Sequence, residues 1–98
     1  MGQIAVLFTW DITTKTGKIK TKIHRELYGY TDYSQFGKYM YQRPGVLTNI
    51  RHLNPTQSCI IVKVGDAPKI REFFNRYKIK FDERKVLLTE EDYKKLGD

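Results

Sequence analysis

The chain has 98 residues, of which 40% are hydrophobic and 30% charged, with a net charge of +7. That length suits one domain with one modest core, and the composition excludes a globally disordered chain. The longest apolar run, Ile4 to Phe8, is far short of the roughly 20 residues a bilayer-spanning helix needs, so a helical transmembrane protein is excluded.

Residues 3–12 (QIAVLFTWDI) predict a strand, being short and rich in β-branched and aromatic residues. Ile4, Val6, Phe8, Trp10 and Ile12 fall on one side. Ala5, Leu7, Thr9 and Asp11 fall on the other, because strand side chains alternate. Both sides are largely apolar, which predicts a central strand with Asp11 at its end. Residues 17–28 predict a helix with a narrow stripe of Ile19, Ile23 and Leu27, stopped at Gly29. Residues 30–43 follow, and their second half, 38–43, alternates and predicts a strand carrying Tyr39 and Tyr41. Arg43-Pro44-Gly45 is a turn, 46–53 an irregular connection, and Asn54-Pro55 a second turn signal.

Residues 57–64 (QSCIIVKV) predict a strand with Ile60, Val62 and Val64 opposite Cys59, Ile61 and Lys63. Residues 66–77 predict a helix capped by Asp66, with Pro68 in its first turn and Ile70, Phe73, Phe74 and Tyr77 on one face. A last strand runs over 79–88. Thr89 and three acids then predict the cap and first turn of a short helix or tail over 89–98. The expected fold is α+β and ferredoxin-like, βαββαβ: an antiparallel four-stranded sheet with two helices on one face, in a single domain over 1–98.

Cys59 is the lone cysteine and sits in an apolar run, so a buried free thiol is expected. With no intrachain disulfide and no signal peptide, a cytoplasmic setting is expected. No phosphate-binding glycine loop is present. His24 and His52 stand without zinc-ligand spacing, and no serine lies in a nucleophile-elbow context. A small-molecule cofactor is not expected.

The charge is uneven. Residues 1–85 hold sixteen Lys and Arg against seven acids, while 86–98 hold two against four. A basic body attracts polyanions, which makes nucleic acid, DNA or RNA, the expected partner. A well-solvated lysine-rich surface accounts for the same numbers. Lys15, Lys18, Lys20, Lys22 and Arg25 follow Asp11 before the next acid, and Arg71, Arg76, Lys78 and Lys80 form a second basic run. Between 28 and 41 lie Tyr28, Tyr30, Tyr33, Phe36, Tyr39 and Tyr41, with Lys38 among them and Arg43 just after. Rings beside cations suit single strands, whose bases stack and whose phosphates pair. Core packing or a dimer interface uses tyrosines equally well.

Asp11 is the best-placed acid for chemistry. One carboxylate per chain becomes two across a dimer axis, and Mg²⁺ or Mn²⁺ held there would activate water against a phosphodiester. Thr9 or Ser34 would assist nearby. A strand-terminal aspartate capping the 13–16 turn is the plain alternative.

The stretch VLFTWDIT at 6–13, the basic helix ending ELYGY at 26–30 and the polar-aromatic strand at 36–43 together resemble the CRISPR-associated Cas2 family and its VapD-like relatives. The resemblance implies a homodimer that binds nucleic acid and places the catalytic and metal-holding role on Asp11. Members of such families act as metal-dependent endonucleases or as non-catalytic scaffolds. Backbone contacts are expected from Lys15, Lys18, Lys20, Lys22, Arg25, Lys38 and Arg43, with Tyr39 and Tyr41. The alternatives are a non-enzymatic RNA- or DNA-binding module and a small regulatory or assembly protein with no nucleic-acid partner.

Overall fold

The computed structural model describes residues 2–97. Strand β1 (Gln3–Asp11) is the centre of an antiparallel four-stranded sheet, flanked by β5 (Cys59–Lys63) and β6 (Lys80–Leu88), with β4 (His52–Thr56) beyond β5. The order across the sheet is β4-β5-β1-β6. β1 is central because both of its sides are apolar, as its alternation predicts. Val6 pairs with Val62, Phe8 with Ile60 and Trp10 with Phe81, which sets these side chains on one sheet face.

Helices α1 (Gly17–Tyr28) and α2 (Ala67–Arg76) both pack on that face. α1 contributes Ile23 and Leu27, and α2 contributes Ala67, Ile70, Phe73 and Phe74. Phe74 meets Trp10, Phe8 and Phe81 with ring centroids 5.0–5.9 Å apart, the range of favourable tilted aromatic contact. Burying each of these large side chains stabilises the fold by about 1.5–3 kcal/mol. Thr16 caps α1 by accepting a hydrogen bond from the Ile19 N–H, and Gly29 ends it at φ +82°. Ile19, expected in the buried stripe, is exposed beside Lys18 and Lys22, because a four-residue spacing drifts around a helix of 3.6 residues per turn. Asp66, expected to cap α2 with its side chain, makes no such bond. Its backbone is already helical, at the end of a 3-10 turn (Val64–Asp66) that runs straight into the helix. Cys59 is free and buried.

The second sheet face is also covered in part. Helix α3 (Glu90–Lys95), capped by Thr89, folds back so that Leu96 and Tyr93 pack with Ala5, Leu7, Leu53, Ile61, Val86 and Leu88. The C-terminal segment is therefore part of the core on the side away from α1 and α2.

Residues 39–43 form a strand, as expected, yet not a strand of the main sheet. They are β3 (Tyr39–Arg43), paired only with β2 (Tyr30–Ser34) in a separate two-stranded hairpin. Every residue of β3 is exposed. A strand with no apolar side gains nothing by joining a half-buried sheet. The fourth sheet strand is instead β4, in the stretch expected to be irregular and to turn at Asn54-Pro55. Pro55 is tolerated there because β4 is an edge strand, and the ladder slips between Leu53 and Thr56 around it. The turn falls three residues later, at Gln57-Ser58, with Ser58 at φ +55°. The chain thus contains six strands and three helices among the described residues.

Candidate nucleic-acid interface

The β2–β3 hairpin leaves the body between α1 and a 3-10 turn (Val46–Asn49), and it is anchored at its base by close backbone contact between Gly29 and Gly45. Thr48 Oγ1 accepts the Gly45 N–H at 2.7 Å and closes that corner. Elsewhere the hairpin touches the body little.

Register decides what the hairpin presents. Tyr30 lies opposite Arg43, Asp32 opposite Tyr41, and Ser34 opposite Tyr39, so these six share one face. The other face carries Thr31, Tyr33, Met40 and Gln42. Each tyrosine of the first face has a cation against its ring. Arg25 of α1 sits 4.8 Å from the Tyr30 centroid, Lys38 5.6 Å from Tyr39, and Arg43 5.6 Å from Tyr41. Such contacts hold the guanidinium and ammonium groups beside the rings rather than extended into solvent. Arg43 also pairs with Asp32 at 3.2 Å across the hairpin.

The tip is unusual. Gln35, Phe36 and Gly37 are all left-handed, at φ +50°, +58° and +85°. A bulky residue in that region costs roughly 1–2 kcal/mol, and Phe36 is nonetheless fully exposed. Strain and an exposed ring at one position mark a residue that packing within the chain does not explain.

The helix α1 continues the cationic surface. Lys18, Lys22 and Arg25 lie along its outer side beside Tyr30. Lys20 lies on the flank, in a shallow groove with Ile12, His24, Arg25 and Tyr30. Lys15 is set apart: its ammonium donates to the Lys78 carbonyl at 3.3 Å. The second basic run is divided as well. Arg71 is engaged by Glu83 through two hydrogen bonds of 2.7–2.8 Å, Arg76 pairs with Glu72, and Lys80 pairs in register with Asp11. The structure therefore brings Lys18, Lys20, Lys22 and Arg25 around Tyr30, and sets Tyr39, Tyr41 and Arg43 on the hairpin face that Tyr30 shares, with Lys38 against Tyr39. Tyr28 alone of the aromatic stretch is half-buried against the body.

Asp11 ends β1 at the surface. Its Oδ1 accepts the Thr13 hydroxyl at 2.7 Å and the Thr13 N–H at 2.8 Å, the geometry of a turn-capping aspartate. Those two bonds, then the charges of Lys80 and Lys20, hold its carboxyl below the usual aspartate value. Among the described residues no three His, Cys, Asp or Glu side chains gather as metal ligands. The donor set that one chain offers at Asp11 is a single carboxylate already accepting two bonds, which does not fit a protein-held divalent ion. Thr9 pairs in register with Cys59 and Asp82, and Ser34 lies in the hairpin, paired with Tyr39.

No family model, no curated protein and no solved structure matches this chain.

Proposed function

We propose that this protein binds single-stranded nucleic acid, with the hairpin's tyrosine face and the outer side of α1 as the contact surface. The observation that carries this reading is the trio Tyr30, Tyr39 and Tyr41, exposed on one face and each paired with a cation. A ring with a cation on one side offers its other side to a base, and the same cation is within reach of the adjoining phosphate. We read the body as a ferredoxin-like βαββαβ plan with β2–β3 inserted between α1 and β4, a reading supported by the order β1, α1, β4, β5, α2, β6 once the hairpin is set aside. On that plan the insertion is what distinguishes this chain.

The test is fluorescence anisotropy with a labelled single strand against rising salt. Six cations at the surface, Lys18, Lys20, Lys22, Arg25, Lys38 and Arg43, correspond to a slope of log affinity on log salt of about −4. A double substitution, Tyr39→Ala with Tyr41→Ala, removes two stacking platforms and lowers affinity at least tenfold, at about 1–3 kcal/mol per base. Salt-independent binding, or none, refutes the reading.

A Cas2-like metal-dependent endonuclease acting as a homodimer is the second reading. What favours it is that Asp11 ends the central strand at the surface, so that a two-fold dimer with its axis beside that strand end would offer two carboxylates to one ion. It predicts cleavage that needs Mg²⁺ or Mn²⁺ and is lost in Asp11→Asn while strand binding is kept. Cleavage surviving that change removes Asp11 from any catalytic role.

A further inference from the structure

A cleft of about 500 Å³ opens between α1, the end of β1 and the β4–β5 turn. Its floor is apolar: Ile12, Ile23 and Leu27. Three flat rings, Trp10, His24 and Tyr28, line it, with His24 and Tyr28 only 4.8 Å apart between centroids. Its hydrogen-bonding groups come from β4, in Asn54, and from the turn after it, in Gln57 and Ser58. The Tyr28 hydroxyl donates to Asn54 Oδ1 at 3.3 Å and fixes that wall. The Ser58 carbonyl is taken by the Trp10 N–H at 3.2 Å, which locks the turn against β1. The Gln57 side chain is exposed and makes no hydrogen bond among the described residues, so a donor and an acceptor stand open at the mouth.

Flat apolar walls with a few polar groups at one side suit a planar heteroaromatic ligand with a polar edge. The neighbourhood narrows the choice. The groove through Ile12, Lys20, His24 and Arg25 adjoins the cleft at Ile12 and His24 and ends on Tyr30 of the hairpin. A chain of phosphates lying in that groove would carry its bases past the mouth of the cleft. We infer that the cleft takes one unstacked nucleobase of a bound single strand, with the Gln57 and Asn54 amides contacting its edge. This rests on the nucleic-acid reading above and adds a site that reads a base, whereas the hairpin tyrosines stack on any base.

Trp10 is the sole tryptophan, so its emission reports on the cleft directly. The experiment titrates the full chain with single-stranded 12-mers of each homopolymer, following the anisotropy of an end label and, with unlabelled strands, Trp10 emission. The expected result is a Trp10 change with the same midpoint as the anisotropy change, and affinities that differ among homopolymers. Gln57→Ala and Asn54→Ala, both at exposed positions, reduce the best affinity about tenfold, the effect of one good bidentate contact, and level the homopolymers. Anisotropy that rises with no Trp10 change and no effect of either variant overturns the base site and leaves the binding reading standing. No anisotropy change with any strand overturns both. A Trp10 response to a free mononucleotide, with no strand bound, overturns the strand-borne base and makes the cleft a small-molecule site.

Discussion

Gly45→Ala probes the joint that aims the hairpin. A Cβ at position 45 would lie 2.6 Å from the Leu27 oxygen, 2.7 Å from the Leu27 carbonyl carbon and closer still to the Gly29 nitrogen. All three are backbone atoms at the end of α1, so no side-chain rotation relieves the overlap. Overpacking of this kind costs about 1–3 kcal/mol. Displacing the 2.7 Å bond from the Gly45 N–H to Thr48 Oγ1 adds about 1 kcal/mol. Gly45 itself is extended, at φ −109° and ψ −179°, so alanine suffers no dihedral strain and gains about 0.5–1 kcal/mol from a less free unfolded chain. The net expectation is a loss of roughly 1–3 kcal/mol, a midpoint fall of about 10 °C in a domain of this size. Urea unfolding measures it, with Gly17→Ala as the control. Nothing lies within 4 Å of a Cβ at position 17, so that change is neutral or slightly stabilising. Equal stability for the two variants would refute the close backbone contact and, with it, a fixed hairpin direction.

Phe36→Asn keeps a residue that accepts the left-handed conformation and removes the ring. Stability holds or rises by about 1 kcal/mol, while single-strand affinity falls roughly fivefold or more, measured by unfolding and anisotropy on the same samples. Asp11, with its carboxyl pKa lowered by the Thr13 bonds, contributes stability that is fully present above its unfolded value near 3.8 and is lost as pH falls through the lower folded value. Asp11→Asn flattens that part of the acid-unfolding curve, and an unchanged curve would show that the Thr13 bonds do not discriminate between folded and unfolded states. Burial pushes the Cys59 thiol up, so a thiol-specific reagent at neutral pH reacts only as fast as the protein opens. Reaction at the rate of a free thiol would place Cys59 at the surface.

Much of the body is legible from local pattern. The two-sided apolar run of β1 demanded a central strand. The spacing of Ile70, Phe73 and Phe74 demanded a buried helix face. Gly29 marked the helix stop, and Cys59 followed its apolar neighbours inside. The misreadings concentrate in 30–58. Tyr39 to Arg43 alternates as a strand should, but alternation says nothing about which strand it pairs with. His52 to Thr56 carries Pro55, a turn signal by composition, and becomes a strand because an edge leaves one side of the ladder unpaired.

The candidate site divides in the same way. Cations beside aromatic rings could be seen in the order of residues from Lys15 to Arg43. Their assembly could not, because it depends on the hairpin register that puts Tyr30, Tyr39 and Tyr41 on one face and on the helix turn that brings Arg25 over Tyr30. The cleft left no sequence signal: Trp10 on β1, His24 and Tyr28 on α1, and Gln57 in the β4–β5 turn come together only when the chain folds. Sequence alone determined the charge, the helices and the central strand, since these follow from neighbours within a few residues. Tertiary structure alone decided the sheet's fourth strand, the free-standing hairpin and the cleft, since each is a contact between segments whose own propensities are silent about partners.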